Sequence, residues 1–219
     1  MIPPDPPKHC DRCPRLVAFR DETAARAPDW YNGAVPSFGD PSARLLVLGL
    51  APGLKGANRT GRPFTGDYAG ELLYGTLAKL GFANDRFAAD PSDGLALMDC
   101  MVSNAVRCVP PQNRPTPAEI AACRPFLAAR LEALPRLRAI VCLGRIAHET
   151  LLRTLGERLV SHPFAHGAQH RIANLDVFDS YHCSRYNTNT GRLTAEMFEA
   201  VFFDVRRLLD VVSTPEPAR

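Results

Sequence analysis

The residues best equipped for chemistry in this 219-residue chain are four cysteines, Cys10 and Cys13 near the start and Cys108 and Cys123 far downstream. A C-x-x-C pair is a chelate bite, because both sulfurs can converge on one side of a turn around a metal ion or an iron–sulfur cluster. The second pair brackets C-V-P-P-Q-N-R-P-T-P-A-E-I-A-A-C, a proline-rich loop running into a helix. Joining the two pairs would staple the amino terminus to mid-chain, a structural use of the metal centre, so the reaction chemistry is expected elsewhere. Cysteine identity alone does not separate zinc from iron–sulfur. The wide spacing of the second pair differs from the repeated C-x-x-C of a zinc ribbon and leans toward a cluster. A ferredoxin-like redox carrier would gather its cysteines more tightly.

Composition narrows the setting. The chain has seven cysteines, an odd number, and its opening M-I-P-P-D-P-P is not a signal peptide. No apolar run is long enough to cross a membrane. These features predict a cytoplasmic protein without a membrane partner, with cysteines used for metal binding and as buried thiols rather than in disulfides. Hydrophobic residues make up 46% of the chain, ample for a core, and the length fits one domain over 1–212 with a tail at 213–219. The net charge of +3 does not by itself prove a nucleic-acid partner, although 23 of the 26 cationic residues are arginine, the side chain suited to bidentate phosphate contacts.

The elements that must position any site follow from periodicity. Arg44–Gly49 and Ala139–Gly144 are short apolar runs ended by glycine, as buried strands are, and Ala96–Val102 and Asp176–Tyr181 are further strands. Helical spacing covers Leu16–Ala27, Gly66–Leu80, Ala118–Ala133, Arg145–Leu155 and Thr194–Val212. Thr116-Pro117-Ala118-Glu119 has the form of a capping box with proline at the first helical position. Strands alternating with helices predict an α/β fold, a three-layer α/β/α sandwich around a short, mainly parallel central sheet. Ligands bind such sheets beyond the carboxyl ends of the strands. That rule gathers Gly49–Gly53, the loop after Val102, and Tyr181–Asn187 around one crevice.

Those crevice loops carry G-L-A-P-G at 49–53, G-R-P-F-T-G-D at 61–67, S-N-A-V-R-C at 103–108 and H-C-S-R-Y-N at 182–187. With the four cysteines, their order and spacing resemble the iron–sulfur uracil-DNA glycosylases, over Cys10 to about Leu193. The leucine and alanine of the first motif are similar to the type b branch, or family 5. The resemblance implies an enzyme that flips uracil, and other deaminated bases such as hypoxanthine, out of DNA and hydrolyses the N-glycosidic bond. It also implies a structural [4Fe–4S] cluster on Cys10, Cys13, Cys108 and Cys123, and a monomer acting on DNA.

Within that reading, Phe64 is the stacking platform for the flipped base, beside the backbone of Gly49, Ala51 and Gly53. Asn104 offers a carbonyl and an amide to one base edge, which suits uracil's N3–H and O4. His182 is placed to donate to the O2 where charge builds as the bond breaks. Leu50 and Ala51 cannot orient water, which leaves Asp67, at a helix start where its ionised form is favoured, as the water-positioning group. Arg185 and Tyr186 are expected to contact phosphate or wedge into the duplex, although Cys183 stands where the family often has proline. Arg59, Arg62 and Arg114 are expected on the DNA side, and Cys100 and Cys142 as buried thiols.

Other functions fit less well. A non-catalytic nucleic-acid-binding module stapled by a four-cysteine metal site is the principal alternative. A zinc deaminase would need H-x-E, and His148-Glu149 lacks the intervening residue. A phosphate-binding loop would need glycine signatures absent after the first strand.

Overall fold

The computed structural model describes residues 2–211, so the tail expected at 213–219 lies outside the described residues. In chain order the elements are α1 (Pro14–Arg26), β1 (Phe38–Gly39), β2 (Leu45–Gly49), α2 (Ala57–Thr60), α3 (Tyr68–Lys79), β3 (Cys100–Asn104), α4 (Pro117–Glu132), β4 (Ala139–Leu143), α5 (Arg145–Leu155), β5 (Gln169–Ile172), β6 (Leu175–Ser180), α6 (Arg185–Asn189) and α7 (Ala195–Val211). The sheet order is β1-β3-β2-β4-β6-β5, parallel through the four inner strands and antiparallel at both edges.

The inner strands are buried on both faces, which is why they read as unbroken apolar runs rather than alternating ones. Alternate residues nevertheless serve different layers. Leu45 and Val47 pack with Leu73 of α3 and Phe202 of α7, whereas Leu46 and Leu48 pack with Leu127 of α4 and Leu151 of α5. From β2 the chain crosses to β3 on one side and then to β4 on the other. The carboxyl end of β2 is therefore the switch point of the sheet, where loops diverge and leave a crevice. No described helix is long and apolar enough to cross a membrane.

The capping box forms as the sequence predicts. Thr116 Oγ1 accepts from the Glu119 amide and Glu119 accepts from the Thr116 amide, with Pro117 at the first helical position. Two expectations are corrected. The second strand begins at Cys100, not Ala96, because Asp99 has a left-handed backbone (φ 55) and Leu97 makes only an isolated bridge to Ala83. The edge strands β1 and β5 are additional. One is two residues long, and the other, Gln-His-Arg-Ile, has no apolar alternation to announce it.

A buried knot of charge ties the amino terminus to the sheet. Asp5 accepts from the Ser37 amide (2.9 Å) and hydroxyl (2.8 Å), from Arg107 Nη1 (2.8 Å) and from Arg130. Burial pushes the Asp5 carboxyl up, but Arg107, Ser37 and Arg130 outweigh it and hold the pKa below the usual value. Asp5→Ala would leave the Arg107 guanidinium buried with its ionic partner gone. The expected loss is about 3–5 kcal/mol, read as a fall in the thermal unfolding midpoint at neutral pH. In the wild type this contribution is present above the ordinary carboxylate pKa and disappears as pH falls through the lowered folded value. An unchanged midpoint in the variant would show that the knot does not hold the terminus.

Candidate active site

The crevice at the switch point is a cavity of about 520 Å³ lined by backbone of the 50–53 loop and by Phe64, Asp67, Asn104, His182 and Arg185. The fold thus brings together the three loops that the sheet rule grouped. Each side chain is held by an identifiable local feature.

Asn104 is the last residue of β3 and is buried. Its Oδ1 is shielded from solvent and has no hydrogen-bond partner. A buried acceptor left open costs stability, so it marks a place where a ligand's donor belongs. Gly49 makes room for it, since a Cβ there would lie 2.4 Å from Asn104 Oδ1 and 2.6 Å from the Phe64 ring. The strand end needs glycine for this close approach.

Phe64 is not an ordinary core phenylalanine. Its φ is 51°, a left-handed conformation that non-glycine residues rarely hold, and such strain concentrates at functional sites. The Phe64 and His182 rings lie nearly parallel, with centroids 5.9 Å apart. His182 follows β6, and its carbonyl accepts from Asn187 Nδ2 at 2.8 Å, which fixes the turn into α6. Burial pushes the His182 pKa down to about 4, so the imidazole is neutral at neutral pH.

Asp67 occupies the N-cap position of α3 but makes no side-chain capping hydrogen bond. Its Oδ1 is buried without a partner, and its Oδ2 nestles against Gly56, where a Cβ would lie 2.3 Å away. Burial raises its pKa above the ordinary value, opposed by the nearby amides of Gly70 and Ala69. Burial thus outweighs the helix-start field expected to favour the ionised form, and the amides of Ala69 and Gly70, the ordinary partners of a cap, only partly offset it.

The remaining expectations divide. Arg185 lines the cavity mouth with its guanidinium over the Tyr68 ring (5.4 Å), while Tyr186 is exposed and does not line the cavity. Arg62, expected on the DNA side, is instead buried. It bonds Asp93 through Nη1 (2.8 Å) and Nη2 (2.7 Å) and lies over the rings of Phe38, Tyr74 and Phe87. Arg59 and Arg114 are exposed. Lys55 and Asn113 line the cavity and were not singled out by sequence. Asn113 lies between the second pair of cysteines, and its left-handed backbone (φ 55) follows a double proline, the one local signal that could have drawn attention to it.

Cys10, Cys13, Cys108 and Cys123 line a second, apolar cavity with Leu16, Val106 and Phe126. All are free thiols. Cys13 caps α1 and Cys123 sits in α4. Burial and crowding by the other cysteines push Cys108 up to about 12. Burial likewise pushes Cys123 up to about 11, against the Arg107 amide that points at its sulfur. Cys100 and Cys142 are buried in strands, as expected, and so is Cys183 at the start of the turn into α6.

Comparison with known proteins agrees with this geometry. A family model described as "Uracil DNA glycosylase superfamily" matches residues 36–206. A type-5 uracil-DNA glycosylase of Thermus thermophilus is 47% identical over 205 residues, 91% of this chain and 93% of its own length. A type-5 uracil-DNA glycosylase of Pyrobaculum aerophilum is 41% identical over 197 residues, 88% of this chain and 86% of its own. One of Mycobacterium bovis is 41% identical over 212 residues, 92% and 79% of the two chains. With the family model spanning most of its length and relatives of this similarity covering 88% or more of it, the chain belongs to the uracil-DNA glycosylase superfamily and, within it, to the type-5 branch.

Proposed function

We propose that this chain removes uracil from DNA by hydrolysing the N-glycosidic bond, and that it accepts other deaminated bases such as hypoxanthine at the same site. The observation that carries the proposal is the open Asn104 Oδ1, buried at the cavity wall beside the Phe64 ring. Uracil flipped into the cavity stacks on Phe64, gives N3–H to Asn104 Oδ1 and takes the Nδ2 proton at O4. Cytosine presents the opposite pattern at both positions and is mispaired.

Bond cleavage leaves the electron pair on the base and positive charge on the sugar. His182, neutral with a pKa near 4, donates an N–H toward the base oxygen where the negative charge collects. Asp67, held against Gly56 without a capping bond, orients water toward the sugar carbon and stabilises its oxocarbenium character. The water's oxygen joins the sugar, and its protons pass to solvent and to the departing base. Arg185 at the cavity mouth serves the phosphate backbone.

The four cysteines fit a [4Fe–4S] cluster. They share one apolar cavity, are unpaired with one another, and have a backbone amide aimed at a sulfur. Tetrahedral zinc with Zn–S bonds of about 2.3 Å needs sulfurs roughly 3.8 Å apart. Among the described residues no three of these cysteines bring their sulfurs within 4.8 Å of one another, a spread that favours the larger cluster. When bound, the cluster supplies a cross-link from the amino terminus to the Asn104 loop and takes no part in bond cleavage.

The direct test is incubation with duplex DNA carrying one uracil, in chelator without added metal, followed by alkali. Scission at the uracil is expected, and its absence with fully clustered protein would leave a DNA-binding module in place of the enzyme. Asn104→Asp is expected to lower the single-turnover rate on uracil by about 10²–10³-fold, and an unchanged rate would remove Asn104 from the base site. For Asp67 the reactive form is the carboxylate. The wild-type rate therefore falls on acidification through a pKa above the ordinary 3.8, with no limb from His182 near neutrality. Asp67→Asn should lower the rate by about 10²–10⁴-fold and erase that acid limb. Retention of the limb in Asp67→Asn would assign it to another group. Cys108→Ser is expected to lose iron and the broad visible absorbance together, whereas a fully iron-loaded variant would exclude Cys108 as a ligand.

A further inference from the structure

On the face of the sheet opposite α3, a second group of metal-type ligands is assembled from four different elements. Cys142 of β4 and Asp179 of β6 are side-by-side partners in the parallel ladder. His148 projects from α5 so that its Nδ1 lies 2.7 Å from Asp179 Oδ1, and His170 of β5 places Nε2 3.2 Å from Asp179 Oδ2. Cys142, His148 and Asp179 are each at most 1% exposed, and their ligand atoms all lie within 4.8 Å of one another. None of them lines the uracil cavity or the cysteine cavity.

The hydrogen-bond pattern around His148 requires a cation. Its Nε2 lies 2.8 Å from the carbonyl oxygen of His162, which can only accept, so Nε2 carries a proton. In the neutral imidazole the other nitrogen, Nδ1, then presents a lone pair, and it presents it to a carboxylate oxygen that also only accepts. A proton between them makes an imidazolium–carboxylate pair, and a metal ion is the other cation that can take that place. A histidine that gives its outer N–H to a backbone carbonyl and turns its inner nitrogen toward a carboxylate and a thiol has the orientation of a metal ligand with its supporting bond in place.

We propose that Cys142 Sγ, His148 Nδ1 and Asp179 bind a divalent transition-metal ion of the zinc type, with His170 Nε2 holding the Asp179 carboxylate from outside the ligand set. The mixed sulfur, imidazole and carboxylate set suits a borderline-soft ion rather than calcium or magnesium. Thiolate and carboxylate together neutralise its two charges, so the buried site carries no net charge when filled. Loading displaces two protons to solvent, that of the Cys142 thiol and the one shared by His148 and Asp179. The ion would join β4, β6 and α5 three residues upstream of His182, as a structural staple independent of the cysteine cavity.

The test uses the full chain with its iron complement filled, so that the four-cysteine site cannot take up zinc. After dialysis against zinc and removal of excess, about one equivalent of bound zinc per chain is expected. Zinc-edge X-ray absorption should show one sulfur at about 2.3 Å with nitrogen and oxygen ligands completing the shell. Cys142→Ser and His148→Asn should each lose the zinc while keeping the iron. If either variant fails to fold, the wild-type ligand shell decides alone. Iron-loaded wild type that retains no zinc would overturn the proposal and leave a proton as the cation between His148 and Asp179. Zinc surrounded by four sulfurs, or retained by both variants, would overturn it equally.

Discussion

Three residues separate Asn104, at the end of β3, from Cys108 in the cysteine cavity, and the structure depends on how that short stretch is held. Ala105 and Val106 donate their amides to the Gly49 and Leu50 carbonyls, each at 2.9 Å, so the turn out of β3 is clamped to the turn out of β2. Arg107 then enters the interior, fully buried, and its carbonyl accepts from the Val35 amide at 2.7 Å. A guanidinium there is tolerable only because Asp5 comes from the amino terminus to meet it. Cys108 follows at once. The same few residues therefore set the Asn104 amide in the cavity wall, draw in the amino terminus that carries Cys10 and Cys13, and present a sulfur to them. A displacement in any of these would be felt in the others, because the segment is too short to absorb it.

This coupling explains why the cysteine cavity lies so close to the crevice at the switch point. The crevice cavity holds an unsatisfied acceptor, a strained Phe64 and a carboxylate without its capping bond, each of which costs stability. Such a site lasts only if its surroundings have no alternative arrangement. The parallel sheet supplies this on one side through four fully buried strands. On the other side the chain is loops, proline and short helices, and there the Asp5–Arg107–Arg130 knot, together with the cluster proposed on the four cysteines, supplies the rigidity that regular structure does not.

Much of this was legible in the sequence, and the failures have physical causes. The inner strands are visible because burial on both faces demands continuous apolar runs, and α4 because a capping box is a local chemical device. Asn104, His182 and Asp67 fall where the sheet rule places strand ends and helix starts. The edge strands were hidden because β5 is polar, with side chains exposed on its open side, and β1 pairs over two residues only. Arg62 was misplaced for a related reason. Nothing in G-R-P-F-T-G-D reveals that Asp93, thirty-one positions on, returns to neutralise it inside a cage of aromatic rings. Pairings set by tertiary approach leave no periodic trace. The same holds for the Cys142, His148 and Asp179 group, whose members look in sequence like a buried thiol, a helix residue and a strand residue.

Two of the ionisable groups that line the crevice cavity, Asp67 and His182, are displaced in opposite directions by one cause. Burial raises Asp67 and lowers His182, so these two positions disfavour charge of either sign. A site solvated by water would show neither shift and would stabilise ground and transition states alike. Here the proposed reaction supplies what the cavity lacks. As the glycosidic bond stretches, positive charge on the sugar gives Asp67 the partner that the empty site withholds, and negative charge on the base gives the His182 N–H a stronger acceptor. Both interactions strengthen only as charge separates, which is the condition for an interaction to lower the barrier rather than merely tighten binding. The cost is borne in the folded enzyme before substrate arrives, and the buried clamps around Arg107 are what allow the fold to bear it.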